Sequence, residues 1–312
     1  MDNLCHTLVG AALGEAGLKH RTRFGGVTLM LAANLPDIDV LVFATSTPSV
    51  AFRRGWTHGV LAQAVLPLAL AAAMMAVARL RPARGGTPVR VRGLLLLSYL
   101  GVLSHVALDL LNSYGVRLLA PFDWRWFYGD ALFIIDPWLW LLLGAGLWMS
   151  RRSGSPVPPR HALAAVTAYI MAMVVNAHLA GNMVLERWRV ERGGPPAGLM
   201  VGPLPITPFE REIIVDAGIH YERGTVGWLP RHVTLDPAVV PKSGADPRVV
   251  QASDAPNIRA FLVWSRFPFW TFEPVPGGTR VTVGDMRFAG RGSPFVQSTI
   301  VPGSAPPRGD SR

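Results

Sequence analysis

His105, Asp109 and Asn112 recur at i, i+4 and i+7 in the apolar run LSHVALDLLNSYG of residues 103–115, so a helix there carries all three on one face. An imidazole and a carboxylate one turn apart can share a divalent metal. Without a cation, burying them in apolar surroundings is costly. Two further polar clusters interrupt apolar sequence, Asn34-Leu35-Pro36-Asp37-Ile38-Asp39 and Gly55-Trp56-Thr57-His58, and His6 lies in an apolar N-terminal stretch. Singly, each has an ordinary reading. His105 with Asp109 suits a hydrogen-bonded pair that joins membrane helices. Asn, Pro and Asp favour turns. Trp56 with Arg53 and Arg54 suits an interfacial anchor.

Together they read as one site. Three histidines (His6, His58, His105) and three aspartates (Asp37, Asp39, Asp109) stand in apolar surroundings with no lysine inside their clusters. Packed carboxylates repel and take up protons unless divalent charge compensates. Mixed His and Asp donors suit zinc, with manganese or iron as alternatives. Six donors exceed what one structural zinc needs, so two ions are expected and three are the upper count. Such a site clamps the attacking and leaving oxygens of a phosphoester, which is hydrolytic chemistry with a metal-activated water.

Whichever of Asp37 and Asp39 holds metal less directly is the expected general base. Arg54, Arg117 and Arg125 lie in loops where an anionic substrate or a lipid headgroup would meet them. Asn112 and Tyr114 are placed to orient donors or substrate. The expected catalytic set is therefore Asp37, Asp39, Arg54 and Asn112. Asp136, ahead of Pro137, reads as a further donor or as a helix start.

The elements that must position these residues are membrane helices. Half of the 312 residues are hydrophobic and 16% are charged, against roughly 25% charged in soluble domains. The apolar blocks 59–78, 93–111, 131–149 and 162–185 are each long enough to cross a hydrocarbon core of roughly 30 Å. A weaker block, 24–43, is broken by Asn34, Pro36, Asp37 and Asp39. Residues 4–18 contain His6 and Glu15 and lack a basic leader and a small-residue cleavage motif, so they are expected to be retained. The lone Cys5 excludes an internal disulfide and a cysteine metal cage.

The net charge of +10 does not point to nucleic acid as a primary partner, because the Arg and Lys residues sit in short loops flanking apolar blocks. It reads as topology. Loops carrying Arg79, Arg81, Arg84, Arg90 and Arg92, and Arg151, Arg152 and Arg160, are expected to be cytoplasmic, with Lys19, Arg21 and Arg23. This places Asp37, Asp39, His58, His105, Asp109 and Asp136 at the outer ends of their segments and everything after about Glu186 outside.

After Gly193, Pro and Gly become frequent and strand-like runs replace the apolar blocks. Residues 260–274 and 279–288 flank Pro276-Gly277-Gly278 and read as a hairpin. The expected fold is an α-helical integral membrane domain of about four to six helices, one broken or re-entrant. It covers residues 1–190, and a smaller β-rich extracytoplasmic domain follows over 191–301. A disordered tail is expected over 302–312, where Arg308-Gly309-Asp310 reads as chance.

The order of motifs also carries a resemblance. His6, Asn34-Leu35-Pro36-Asp37-Ile38-Asp39, Arg53-Arg54-Gly55-Trp56-Thr57-His58, Ser104-His105-x-x-x-Asp109, Asn112-Ser113-Tyr114-Gly115-Val116 and Leu118-Leu119-Ala120-Pro121-Phe122 together resemble the YdjM-type family of inner-membrane-associated metal-dependent hydrolases, over roughly residues 1–150. The family is similar in its His-x-x-x-Asp element to zinc-dependent phospholipase C and the related single-strand nucleases. That likeness implies phosphoester hydrolysis by clustered zinc and supports His6, Asp37, Asp39, His58, His105 and Asp109 as donors. The second element of those soluble relatives, His-x-x-x-Glu, has no match here. His178, Asn182 and Glu186 offer a partial substitute for which helix packing is the favoured reading.

The leading expectation is a multi-pass protein of the bacterial inner membrane, its metal site facing outward, that hydrolyses a phosphoester of a membrane lipid or a lipid-linked phosphate. A transporter or channel passing protons or metal ions through the same His and Asp residues is the competing one. A membrane scaffold that displays the β-rich domain is the third.

Overall fold

The computed structural model describes residues 1–45, 47–81, 87–289, 293 and 295–302. The tail with Arg308-Gly309-Asp310 lies outside the described residues. Helix α1 (Asn3–Glu15) begins where Asp2 caps it, its Oδ1 accepting from the N–H groups of Leu4 at 3.0 Å and Cys5 at 3.1 Å. A 3-10 turn, Leu18–Arg21, leads to α2 (Gly25–Ala32). Pro36 bars continuation of that helix, and the chain resumes as a 3-10 segment, Leu35–Ala44, bent 51° from α2. Short α3 (Ser49–Phe52) precedes α4 (Val60–Leu80), and α5 (Val91–Leu110) follows.

Helix α6 (Pro137–Ser153) corrects the expected block 131–149. Asp136 caps it and Pro137 opens its first turn, while Ala131 and Leu132 donate their N–H groups to the Leu111 carbonyl at 2.8 and 3.0 Å and remain loop. Helix α7 (Val157–Arg192) is longer than the block 162–185, at 36 residues.

Helices α4, α5 and α7 are long and apolar enough to cross a membrane, and α2 with its bent continuation makes a fourth candidate. Only 17% of the apolar window of α4 and 11% of that of α7 is buried within the protein, so most of both surfaces is suited to lipid. Half of the α5 window is buried, which makes α5 the inner helix that carries the polar residues.

Two clusters hold α5 in place. Ala32, Leu70, Ala71, Met74, Leu94 and Val102 join it to α2 and α4, and Leu108 packs with Cys5, Val9, Leu139 and Leu143 of α1 and α6. Gly101 sets the α2–α5 separation, because a Cβ there would overlap that of Ala32.

The chain forms two compact units, Met1–Val184 with Val201–Glu212 and Val226–His232, and Leu185–Met200 with Ile213–Thr225 and Val233–Arg312. Strands β1 (Gly198–Pro203), β2 (Glu210–Asp216), β3 (His220–Trp228) and β4 (Arg231–Pro241) lie in that order in one sheet. Helices α8 (Pro247–Ser253) and α9 (Pro256–Trp264) follow. Then β5 (Pro268–Val275), β6 (Gly278–Asp285) and β7 (Val296–Pro302) form an antiparallel sheet.

The β5–β6 hairpin turns at Pro276-Gly277, where Gly277 takes a φ of 87°. Residues 260–264, expected as strand, instead complete α9. Ile258, Phe261 and Trp264 recur every third residue and are buried on one face.

One buried ion pair organises the second unit. Asp285 accepts from Arg287 Nε at 2.9 Å, Ser265 Oγ at 2.7 Å and the Arg266 N–H at 2.7 Å, with both charged side chains fully buried. Burial favours the protonated acid, but the Arg287 guanidinium outweighs it and holds the carboxyl below the ordinary range. A lowered folded-state value contributes stability above the unfolded value of about 4, and that contribution is lost as the pH falls below it. Asp285→Asn should cost about 3–5 kcal/mol, since it strands Arg287 in the interior. Urea unfolding followed by tryptophan fluorescence at pH 7 checks this, and an unchanged midpoint would refute it.

Candidate metal centre

The break after α2 supplies the first contact. A helix end leaves carbonyls without intrahelical partners, and the free carbonyl of Ala33 accepts from His105 Nδ1 at 2.7 Å. A carbonyl can only accept, so the proton of His105 is on Nδ1 and its Nε2 is left with a lone pair.

His58 is fixed in the same sense. Thr57 Oγ1 donates to Asp39 Oδ2 at 3.1 Å and lies 2.9 Å from His58 Nδ1, so it accepts the Nδ1 proton there. The two Nε2 atoms, both with lone pairs, face each other at 3.1 Å.

The remaining donors close around them. Asp109 Oδ2 lies 3.3 Å from His58 Nε2 and 3.4 Å from His105 Nε2, and Asp37 Oδ1 is 3.9 Å from each. Among the described residues, no hydrogen-bond donor reaches Asp109 Oδ2. Four donors at the zinc distance of about 2.0–2.1 Å would stand roughly 3.3 Å from one another in a tetrahedron. The separations among His58, His105 and Asp109 fit that shell and those to Asp37 are longer, so the group could hold a metal ion. Among the described residues, Asp37, His58, His105 and Asp109 are the buried group that can hold a metal ion. Burial pushes the His6 imidazole down to about 3 and lowers that of His58, so both are neutral bases at physiological pH.

Asp39 stands behind the donors. Its Oδ1 accepts from Arg53 Nε at 3.2 Å, and its Oδ2 accepts from the Arg54 N–H at 2.8 Å as well as from Thr57. These bonds hold Arg54 at a φ of 54°, a left-handed conformation that a non-glycine residue keeps only when its surroundings enforce it. Arg54 then turns inward, where Nη2 reaches Asp109 Oδ1 at 3.1 Å and Nη1 reaches Asn112 Oδ1 at 3.1 Å, while its guanidinium lies 4.8 Å from the centre of the Tyr114 ring. The Met1 amino group also contacts Asp109 Oδ1.

His6 is adjacent to the four. Its ring stacks on that of His105 at 3.8 Å, and its Nε2 is 3.4 Å from Asp109 Oδ1. Among the described residues, neither of its ring nitrogens has a hydrogen-bond partner.

Other expected residues lie elsewhere. Arg117 donates to the Ala51 carbonyl at 3.1 Å and stacks on Trp124 and Trp126, and exposed Arg125 pairs with Asp123 at 2.6 Å. Asp136 caps α6 and accepts from Tyr169 Oη at 3.0 Å. His178 and Asn182 bond each other along α7 at 3.1 Å, and Glu186 is on the same helix.

The residue that sequence reasoning passed over is Arg53. One quarter of its side chain is exposed, and its Nη2 lies 3.4 Å from Asp37 Oδ1, at the open side of the group. The Arg53-Arg54 pair does not reveal in sequence which guanidinium faces inward; the left-handed turn decides it.

No curated protein and no solved structure matches the chain. The stretch that builds the centre does match a family model, described as YdjM inner membrane protein, over residues 1–180, and the chain belongs to that family.

Proposed function

We propose that this protein is a membrane-bound metal-dependent hydrolase that cleaves a phosphoester of a membrane lipid or a lipid-linked phosphate. The observation that carries the reading is the pair of imidazole lone pairs facing each other at 3.1 Å with two buried carboxylates beside them. A divalent ion, zinc before manganese, would be held most closely by His58, His105 and Asp109, and with Asp37 farther out a remaining position would let it supply Lewis acidity to a phosphoryl oxygen and acidify a water at neutral pH. We assign one ion to the four donors rather than two or three to six. Both oxygens of Asp39 are taken by Arg53, Arg54 and Thr57, and His6 faces an Asp109 oxygen already bonded to Arg54. Asp39 therefore orients His58 and its loop, and its hydrogen bonds leave it poorly suited to take a proton.

Arg53 supplies the contact to substrate. A guanidinium matches a phosphate bidentately, and this one is close enough to Asp37 to bring an anion to the donor group. The surrounding side chains favour a lipid. Phe43, Trp56, Phe122 and Trp124 are 62%, 52%, 81% and 41% exposed, and Trp56 packs edge-on against Trp124. Aromatic residues of this kind sit at headgroup level. Asp109 falls in the last turn of α5, which also suits a headgroup-level site better than the midplane site of a transporter. With the arginine-rich loops cytoplasmic, the centre faces outward.

The test is release of headgroup phosphate from phospholipid in mixed micelles by purified, zinc-loaded protein. Chelation and His58→Ala should each abolish it. Metal-loaded protein that hydrolyses no phosphoester but carries zinc or protons across a vesicle membrane would replace this reading with the transporter. Arg53→Gln should raise KM by about 10–100-fold, the equivalent of one charge-assisted hydrogen bond, and leave zinc content unchanged. An unaltered KM would remove Arg53 from substrate binding.

A further inference from the structure

The helix ends remote from the metal centre collect cations. Within α1, His6 and Glu15 are nine residues apart, about 14 Å along the axis, and beyond Glu15 come Lys19 and His20. The C-terminal turn of α6 contributes Arg151, and the first turn of α7 contributes Arg160. These four basic side chains line a cavity of about 560 Å³ in which Glu15 is the one acidic lining residue.

Glu15 is already neutralised, its Oε2 2.5 Å from Lys19 Nζ. Arg160 spends its Nε on the Ala16 carbonyl at 2.8 Å, which leaves its terminal amines directed along Gly17. Among the described residues, the side chains of His20 and Arg151 have no hydrogen bond or ion pair. The cavity thus keeps the charge of two guanidiniums without a counter-anion.

Its position argues for what fills it. Immediately before Arg151 on α6, Trp148 and Met149 are 56% and 50% exposed, and the Arg152 guanidinium stacks 4.3 Å over the Trp148 ring. A tryptophan and arginine pair of this kind marks the level of lipid headgroups. An occupant with a negative headgroup in the cavity and its chains along Trp148 and Met149 satisfies both features. Free phosphate satisfies only the first.

We propose that this cavity binds the headgroup of an anionic phospholipid, at the end of the helices opposite the metal centre and independently of the reaction there. The experiment titrates the full chain in neutral detergent with phosphatidylglycerol, phosphatidylcholine and inorganic phosphate, reading bound lipid by native mass spectrometry and all three by thermal shift. Phosphatidylglycerol should bind at least tenfold more tightly than phosphatidylcholine, and phosphate at equal concentration should produce no shift. The double variant Arg151→Gln with Arg160→Gln should lose at least tenfold in affinity for phosphatidylglycerol, while Arg151→Lys with Arg160→Lys keeps it. Zinc content stays the same in both and reports folding.

Equal affinity for the two lipids, full retention by the glutamine variant, or a shift with phosphate matching that with phosphatidylglycerol would each overturn the proposal. If the glutamine variant does not fold, salt decides. Raising ionic strength from about 0.01 to about 1 M shortens the screening length roughly tenfold, and it should release phosphatidylglycerol from the wild-type protein; a complex indifferent to salt would overturn the assignment.

Discussion

Alanine at His105 should leave the purified protein without tightly held divalent metal. The substitution removes one of four donors and also frees the Ala33 carbonyl, so the end of α2 loses the contact that fixes its distance from Asp37. Partners outside the donor set typically cost 10–100-fold in metal affinity; loss of a direct donor should cost more. Asp39→Asn and Thr57→Val provide the comparison, because Thr57→Val disturbs the orientation of His58 and Asp39→Asn loosens in addition the Arg53-Arg54 turn, but both keep the four donors and should fall within that outer range. Elemental analysis after washing with a weak chelator measures all three. Wild-type protein should retain close to one equivalent of zinc or manganese, the outer variants a reduced amount and His105→Ala almost none. Equal metal in wild type and His105→Ala would reject the centre.

The same contacts explain what sequence reveals and what it hides. The i, i+4 pair on α5 is legible because a helix puts both side chains on one face whatever else the chain does. The break at Pro36 is legible because proline disfavours the α conformation for the residue before it and Asn34, Asp37 and Asp39 interrupt the apolar run around it. Once the broken segment and the loop before α4 are brought against α5, Asp37 and His58 join the pair, and those three apolar interruptions are all visible in one dimension.

What spacing does not carry is the sharing of oxygens. Asp37 and Asp39 are equivalent in the sequence, yet Asp39 is saturated by three donors from a loop 14 to 18 residues away, and of the two it is Asp37 that keeps an oxygen toward the Nε2 atoms of the histidines. Which of Arg53 and Arg54 turns inward is hidden for the same reason, since the φ of 54° at Arg54 that Asp39 enforces sets the direction of each. The late start of α6 escapes a hydropathy reading because residues 131–135 are as apolar as a helix, but Ala131 and Leu132 spend their N–H groups on Leu111. Residues 260–264 escape it because a short apolar run fits either period.

Arg54→Met provides the other large effect. In the native protein Arg54 is 4% exposed and Asp109 fully buried, and the guanidinium bonds both the carboxylate and Asn112. Methionine fills similar volume but leaves the Asp109 charge without its strongest protein partner, an outcome that costs about 3–5 kcal/mol for a buried pair. For a chain of this size the thermal midpoint should fall by something on the order of 10 °C. The direction reverses for metal. Arg54 holds a positive charge on Asp109 Oδ1 while the cation site opens on Oδ2, so the arginine and a metal ion repel each other across one carboxylate. Removing Arg54 strips stability from the metal-free protein and leaves the Met1 amino group and the ion to compensate Asp109. A ligand at about 100 times its dissociation constant stabilises the state that binds it by about 2.7 kcal/mol, and tighter binding adds to that. Zinc should therefore raise the midpoint of Arg54→Met by more than it raises the wild-type midpoint, in parallel scans of detergent-solubilised full chain with zinc and with chelator. A smaller zinc shift in Arg54→Met would mean that Arg54 acts mainly by aiming Asp109 at the ion, and Arg54→Lys, which keeps the charge but loses the fork to Asn112, would then behave like the methionine variant.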